Sequence, residues 1–133
     1  MSQEVLTISV KITDNYWVEG STGRTGMITF TGDADCPLFK GHILPGGVDT
    51  QTIQPGLLTL SARYMLEGED SHGTPCHVFI ENNGSVEKVS QPMRTIPKIT
   101  TDSPHLQWLE HASLYGTLEP NGENAVLIHI FVD

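Results

Sequence analysis

The stretch from Leu38 to Gly68, LFKGHILPGGVDTQTIQPGLLTLSARYMLEG, decides the fold class. It contains three extended runs separated by turns at Pro45-Gly46-Gly47 and Pro55-Gly56. In the third run an apolar set alternates with a polar one: Leu58, Leu60, Ala62, Tyr64 and Leu66 against Thr59, Ser61, Arg63 and Met65. Because successive side chains of a strand point to opposite faces, one face is predicted to be core. The stretch therefore predicts an antiparallel meander to which the rest of the chain adds strands.

The same alternation continues on both sides of this meander. Strands are predicted over residues 5–12, 16–18, 27–31, 38–44, 48–53, 57–66, 74–82, 94–100, 112–118 and 125–132. Turns are predicted at Asp14-Asn15, over residues 32–35 and at Asn82-Asn83-Gly84. One short helix of about two turns is predicted after Pro104. This pattern favours an all-β antiparallel closed barrel over a sandwich, because closure removes exposed strand edges.

Length and charge limit the classes of protein and partner. A chain of 133 residues is long enough for one domain, so we expect a single barrel over residues 1–133. Seven Lys and Arg against sixteen Asp and Glu give a net charge of −9. The field of such a chain repels polyphosphates, so nucleic acid and anionic membrane surfaces are not expected as partners.

Other features bear on location and assembly. The chain begins without a basic segment leading into an apolar one and has no run near the roughly 18 apolar residues of a membrane span, so we expect a cytoplasmic protein. Cys36 and Cys76 are then expected to be free thiols. Leu57 and Met65 place apolar groups on the face opposite Leu58. Such two-faced strands predict a homo-oligomer, a dimer or a trimer.

Two charges lie inside strand-like runs, where solubility does not explain them. These are Asp49 and Arg63. With Glu81, they are the candidate catalytic residues, because a carboxylate and a cation in a barrel lumen would have shifted proton equilibria. The alternative is a structural buried ion pair with no role in chemistry.

Aromatic side chains supply candidate walls for a flat ligand. They are Tyr16, Trp17, Tyr64, Phe79 and Tyr115, and Gln51 joins them because it shares a strand face with Asp49. The alternative is that these aromatic side chains are simply core.

Several catalytic and metal motifs are absent. The six histidines, including His72 and His77 around Cys76, do not have the spacing of a structural zinc site. Cys76 and His77 are neighbours on a strand and so point to opposite faces, which argues against a nucleophile and base pair. No Ser lies in a nucleophile elbow, and the loop GSTGRTG (20–26) lacks the ending of a phosphate-binding loop. We expect no metal and no cofactor.

Five motifs, in this order, resemble the family known as domain of unknown function 3237. They are GHILPGGVDTQ (41–51), LSARYMLEGED (60–70), VFIENNG (78–84), MRTIPKITTDSP (93–104) and LQWLEHASLYG (106–116). The resemblance implies a small barrel of the calycin or lipocalin kind. The residues that match the family pattern are Gly46, Gly47, Asp49, Arg63, Asn82, Arg94, Thr95, Pro97, Trp108 and Leu109. On this basis Arg94 and Trp108 become further substrate-binding candidates, whereas Glu81 departs from the basic residue of many relatives.

The resemblance also implies a function. Some fungal members act as cyclases in aromatic polyketide pathways, closing an oxygen ring by adding a hydroxyl across an alkene. We therefore expect a cofactor-free cyclase or isomerase, in which Asp49 or Glu81 carries the proton and Arg63 holds the developing oxyanion. The alternative is a non-catalytic barrel that binds a small molecule. Strand parity distinguishes them, since the enzyme requires these side chains to face the lumen.

Overall fold

The structure of the protein is a computed structural model, which describes residues 2–87 and 93–133. The described residues form nine strands and one 3-10 helix. The strands are β1 (Gln3–Glu19), β2 (Arg24–Asp35), β3 (Phe39–Ile43), β4 (Val48–Gln54), β5 (Leu57–Asp70), β6 (Pro75–Val86), β7 (Arg94–Thr101), β8 (Leu114–Pro120) and β9 (Ala125–Val132), and the 3-10 helix is Gln107–Glu110.

All strand pairs are antiparallel, and the sheet closes on itself where β1 pairs with both β2 and β9. Strands β3 and β4 occupy one position, because both pair with β2 on one side and with β5 on the other. The barrel therefore has eight positions, and the predicted all-β closed barrel is confirmed. An eight-stranded barrel has an interior just wide enough for side chains or one small ligand.

The Pro45-Gly46-Gly47 turn lies between β3 and β4. It interrupts the strand at this position of the barrel, but β4 runs in the same direction as β3. Gly46 has a φ of 111°, a conformation that L side chains rarely adopt. A Cβ at Gly47 would lie 3.2 Å from the side chains of both Phe30 and Tyr64. The two glycines thus allow the chain to pass close over the core and to continue in the same direction.

Strand β1 is longer than predicted because a bulge replaces the turn expected at Asp14-Asn15. The pairing register with β2 shifts between Ile12 and Asp14. One extra residue on a strand reverses the alternation that follows it. Trp17 consequently pairs with Gly26, and its side chain is on the face of the sheet that forms the interior of the barrel.

The turns predicted over residues 32–35 and at Asn82-Asn83-Gly84 are also wrong. These residues lie inside β2 and β6. Asn82, for example, pairs with Ala62 of β5 and with Pro97 of β7. Because neighbouring strands pair with both edges, local turn propensity is overridden.

One end of the barrel is closed by the segment between β7 and β8. The helix predicted there is a single 3-10 turn of four residues. Leu106 and Leu109 are each 1% exposed and belong to the same core cluster as Val5, Phe39 and Leu66. Among the residues described, no helix is long and apolar enough to cross a membrane.

Candidate functional site

The barrel interior holds a cavity of about 120 Å³ toward the end opposite the 3-10 helix. Nine apolar and three polar residues line it: Val10, Ile12, Ile28, Phe30, Asp49, Gln51, Leu60, Ala62, Asn82, Leu118, Val126 and Ile128. Several of them, such as Ile12, Ile28 and Leu118, are only partly buried, so the cavity opens to solvent at this end. Its volume is close to the roughly 150 Å³ of an apolar cavity that accepts benzene.

Asp49 is the one charged residue among those that line the cavity. It lies on β4 directly between Ile28 of β2 and Ala62 of β5, which places its side chain on the interior face. Burial raises the pKa of the Asp49 carboxyl above its ordinary value, and a hydrogen bond from Gln51 Nε2 (2.9 Å) opposes part of that rise. Burial therefore shifts the carboxyl toward its protonated form, which is the form that can donate a proton.

Three further interior side chains have buried polar atoms without a protein partner. Within the described part of the chain, four interior atoms make no hydrogen bond: Asp49 Oδ1, Tyr64 OH, Asn82 Oδ1 and Thr95 Oγ1. Burial, followed by the charge of Asp49, raises the pKa of Tyr64, so its hydroxyl stays a donor. Buried polar atoms are normally paired, so these four atoms are the interior groups available to contact a bound molecule.

The arrangement of these groups follows from the sheet. Asp49 and Asn82 flank Ala62, each directly opposite it on a neighbouring strand. Two inter-strand spacings separate their backbones by about 10 Å. Since Ala62 is small, the carboxyl and the amide face the same space.

Gly116 makes room for the deeper part of this polar group. A Cβ at Gly116 would lie 2.5 Å from Thr95 Oγ1 and 3.8 Å from Asn82 Nδ2. No real Cβ approaches a polar atom as closely as the first of these distances. A glycine on β8 is thus required for Thr95 to point inward.

The open end carries an aromatic and a basic side chain. Trp17 covers Gly26, whose Cβ would lie 2.4 Å from the indole ring. The guanidinium of Arg24 lies 4.3 Å from the centre of that ring, and Arg24 Nε lies 3.0 Å from Glu19 Oε1. The mouth of the cavity therefore presents a stacked Trp17 and Arg24 pair.

The prediction that Arg63 and Glu81 line the lumen is wrong. Arg63 lies on the face of β5 opposite that of Ala62 and Tyr64, and it pairs in register with Glu81 of β6. Arg63 Nε lies 3.6 Å from Glu81 Oε1, and their side chains are 64% and 34% exposed. The strand parity that carries Asp49 inward carries these two side chains outward. Of the two ion pairs expected for Arg63, the one with Glu81 therefore forms, but outside the lumen, and the one with Asp49 does not.

We expect neutralisation of this outer pair to have little effect on stability. Exposed ion pairs contribute less than about 1 kcal/mol, because solvent screens both charges. Arg63→Gln, Glu81→Gln and the double variant should each change the free energy of unfolding by less than about 1 kcal/mol. Urea unfolding measures this change. A larger loss, rescued in the double variant, would show that the pair is structural.

The structure divides the other candidates between inside and outside. Gln51 and Tyr64 face the interior, and Trp17 lies at its mouth. Five lie on the outer surface: Tyr16, Phe79, Arg94, Trp108 and Tyr115. Arg94 stacks on Tyr115 at 3.9 Å, and Tyr115 stacks on Phe131 at 4.9 Å. Tyr115 therefore packs between Arg94 and Phe131, and none of these five side chains faces the lumen.

Three histidines contact carboxylates: His77, His105 and His129. His77 lies 2.9 Å from Asp102 and 3.0 Å from Glu67, and these hydrogen bonds raise its pKa. His72 stacks on the ring of His105 at 3.7 Å. Across residues 2–87 and 93–133, no three His, Cys, Asp or Glu side chains are grouped as metal ligands. Cys36 and Cys76 are both buried and form no disulfide.

Sequence reasoning missed Asn82 and Arg24 as site residues. Asn82 continues the interior row of Cys76, Val78 and Ile80, and its polar character in that row was the available signal. Its assignment to a turn hid that signal. Arg24 had no comparable signal, because the bulge in β1 decides what lies beside it.

The sequence profile of a family described as "Protein of unknown function (DUF3237)" matches residues 2–132. A UPF0311 protein of Clostridium acetobutylicum is 29% identical over 127 residues, which cover 80% of this chain and 78% of that protein. A UPF0311 protein of Rhodopseudomonas palustris is 30% identical over 67% of each chain.

Solved structures have the same fold. A protein with unknown function from Clostridium acetobutylicum aligns with a TM-score of 0.82 and 27% identity over 99% of this chain and 95% of that one. A structure described as an enzyme from Penicillium herquei aligns with a TM-score of 0.67 over 99% and 95% of the two chains, and at 20% identity it shows the fold alone. Together with the profile match over nearly the whole sequence, these likenesses show that the chain belongs to the DUF3237 family of proteins of unknown function.

Proposed function

We propose that the barrel is a cofactor-free cyclase or isomerase that binds a small aromatic molecule in its lumen and uses Asp49 as the general acid. The observation that carries the proposal is the buried Asp49 carboxyl, which has a raised pKa and a free oxygen facing an apolar cavity of ring size. An apolar pocket with a few convergent polar groups and a perturbed carboxyl is the usual form of a small-molecule site. The structure described as an enzyme from Penicillium herquei supports the proposal, because a protein with this fold is there described as an enzyme.

The reaction that fits is the addition of a substrate hydroxyl across an alkene of the same molecule. Protonated Asp49 donates its proton to one alkene carbon, and the hydroxyl oxygen forms a C–O bond to the other carbon. The hydroxyl proton then returns to the Asp49 carboxylate, so the net change is an isomerisation that consumes no cofactor. Asn82 Oδ1 is free to accept from the substrate hydroxyl and to orient its lone pairs, while Tyr64 OH is free to donate.

The second candidate is a non-catalytic barrel that binds a small molecule. It is favoured by the absence of Lys and Arg among the described residues that line the cavity, because no cation is positioned there to hold an oxyanion. The charge of Arg63, on which the enzyme hypothesis first relied, faces solvent.

The test uses 2-allylphenol, a single ring that carries both a hydroxyl and an alkene. We expect it to perturb the NMR signals of Asp49, Ala62 and Asn82 and to be converted slowly to the cyclic ether, which gas chromatography detects. Ala62→Leu should abolish both effects, because the larger side chain fills the space between the carboxyl and the amide. Thermal melting checks that this variant folds.

The outcomes separate the two candidates. Binding in the lumen without turnover of this phenol or of larger hydroxy-alkenes supports the non-catalytic barrel. Failure of every such ring to perturb the lumen signals at millimolar concentration would contradict both.

A further inference from the structure

The outer wall near the open end carries two rows of side chains that contain no charge. In one row, cross-strand neighbours run Tyr16, Met27, Thr50, Ser61, Asn83 and Ile96. In the other they run Val18, Thr25, Thr52, Thr59 and Ser85. We call these eleven residues the neutral belt. With strands about 4.8 Å apart, six strands give it an arc of roughly 24 Å.

The belt combines exposed apolar groups with a groove. Tyr16, Val18, Met27 and Ile96 are 64%, 64%, 52% and 72% exposed, which makes them four of the seven large hydrophobic side chains found exposed in the described chain. Between them, the belt residues of β4 to β7 line a shallow groove whose exposed surface is mostly apolar, and Glu81 and Lys98 of the adjacent row lie at its border. An exposed apolar and uncharged surface of this kind is typical of the core of a protein interface.

Charge decides which partner fits. The chain carries a net charge of −9, so two copies repel each other over most of their surfaces. The belt is the region where a second copy meets no like charge. The adjacent cross-strand row carries both signs, with Asp14, Arg63, Glu81 and Lys98, and can form the polar rim that surrounds such a core.

We propose that the neutral belt is the surface through which copies of this chain assemble into a homo-oligomer. The belt supplies the uncharged centre of the contact, and the mixed row supplies a rim on which opposite charges of two copies can pair. A stable contact of this kind buries about 800 Å² on each partner, which requires the rim as well as the belt. The belt borders the mouth formed by Trp17 and Arg24, so assembly brings a second copy next to the entrance of the lumen.

The experiment compares two matched substitutions by sedimentation equilibrium. Ser85→Lys adds one positive charge in the groove, whereas Ser9→Lys adds the same charge on an exposed outer position of β1, away from the belt and opposite Asp33. Both lower the net negative charge by one, so the general repulsion between copies falls equally. We expect wild type to be a dimer or a trimer at tens of micromolar, and Ser85→Lys alone to weaken association at least about tenfold.

A second belt variant, on another strand, tests whether the effect of Ser85→Lys is only a local disturbance of β6. Ile96→Lys changes a side chain that is 72% exposed, so folding does not depend on it, and it should weaken association to a similar extent. A monomeric wild-type protein would overturn the proposal. So would an oligomer that Ser85→Lys and Ile96→Lys leave intact, or one that Ser9→Lys weakens as much as they do.

Discussion

Asp49→Asn is expected to lower turnover by about a hundredfold or more while leaving the lumen able to bind its ligand. A positioned general acid contributes roughly 10²–10⁴ to a rate, and asparagine cannot supply the proton. Its side chain keeps nearly the same volume, and its oxygen can still accept the hydrogen bond from Gln51 Nε2. The rate of the wild-type protein should also fall as pH rises through the raised pKa of Asp49, because only the protonated carboxyl donates.

The same substitution is expected to raise stability at neutral pH. Because the folded pKa of Asp49 lies above the unfolded value, the folded state binds more protons between the two values. The free energy of unfolding of wild type therefore falls as pH rises through this window, and the loss is complete above the folded pKa. Asp49→Asn removes that loss, so its advantage in Tm should be present at pH 7 and should disappear below about pH 4.

Asp33→Asn serves as the matched control for both effects. Asp33 lies on the exposed outer face of β2, so the same change of charge occurs outside the lumen. Turnover should be unchanged in this variant. If Asp49→Asn retained full turnover on a substrate that binds the lumen, Asp49 would not be the general acid and another group would have to supply the proton.

The sequence could predict the barrel because most strands keep strict alternation over their length. In β5 every second residue from Leu58 to Leu66 is apolar and faces inward in the structure. The same reasoning could have assigned Arg63 correctly, since it alternates with Ala62 and Tyr64. The error was to infer burial from apolar neighbours along the chain, when those neighbours point to the other face.

Other parts of the site could not be read from local patterns. The inward position of Trp17 depends on a bulge near Thr13, and no residue type there requires one. The orphaned polar atoms of Asn82 and Thr95 depend on three strands meeting, with Gly116 leaving the space. Such features arise from pairings between distant segments, so they become visible only when the register of the sheet is known.

The polar cluster under the closed end of the barrel is the other place where one substitution should have a large effect. Asp70 is buried at the end of β5 and accepts four hydrogen bonds. The donors are Ser103 Oγ at 2.7 Å, His105 Nδ1 at 2.9 Å and the backbone N–H groups of His72 and Thr74 at 2.9 and 3.1 Å. These bonds, with that of Ser103 first, hold the pKa of Asp70 well below its usual range. They also fix the start of the segment whose leucines close the barrel.

Asp70→Ala is expected to lower Tm by on the order of 10 °C at pH 7, because it leaves buried donors without an acceptor. Asp70→Asn should lose less, since one amide oxygen can still accept both backbone N–H groups. Because the folded pKa of Asp70 lies below the unfolded value, its contribution is complete above the unfolded pKa and is lost as pH falls toward the folded one. The gap in Tm between wild type and Asp70→Ala should therefore narrow in acid.

Glu69→Gln is the control for this series, because Glu69 precedes Asp70 on β5 but is exposed. Its Tm should remain close to that of wild type. Loss of the Asp70 contacts should also loosen the segment that carries Leu106 and Leu109, so the far end of the lumen should admit water. We therefore expect Asp70→Ala to bind a ring-sized phenol more weakly even at temperatures where it stays folded. Unchanged melting and unchanged binding in Asp70→Ala would mean that the two buried leucines alone hold the barrel end closed.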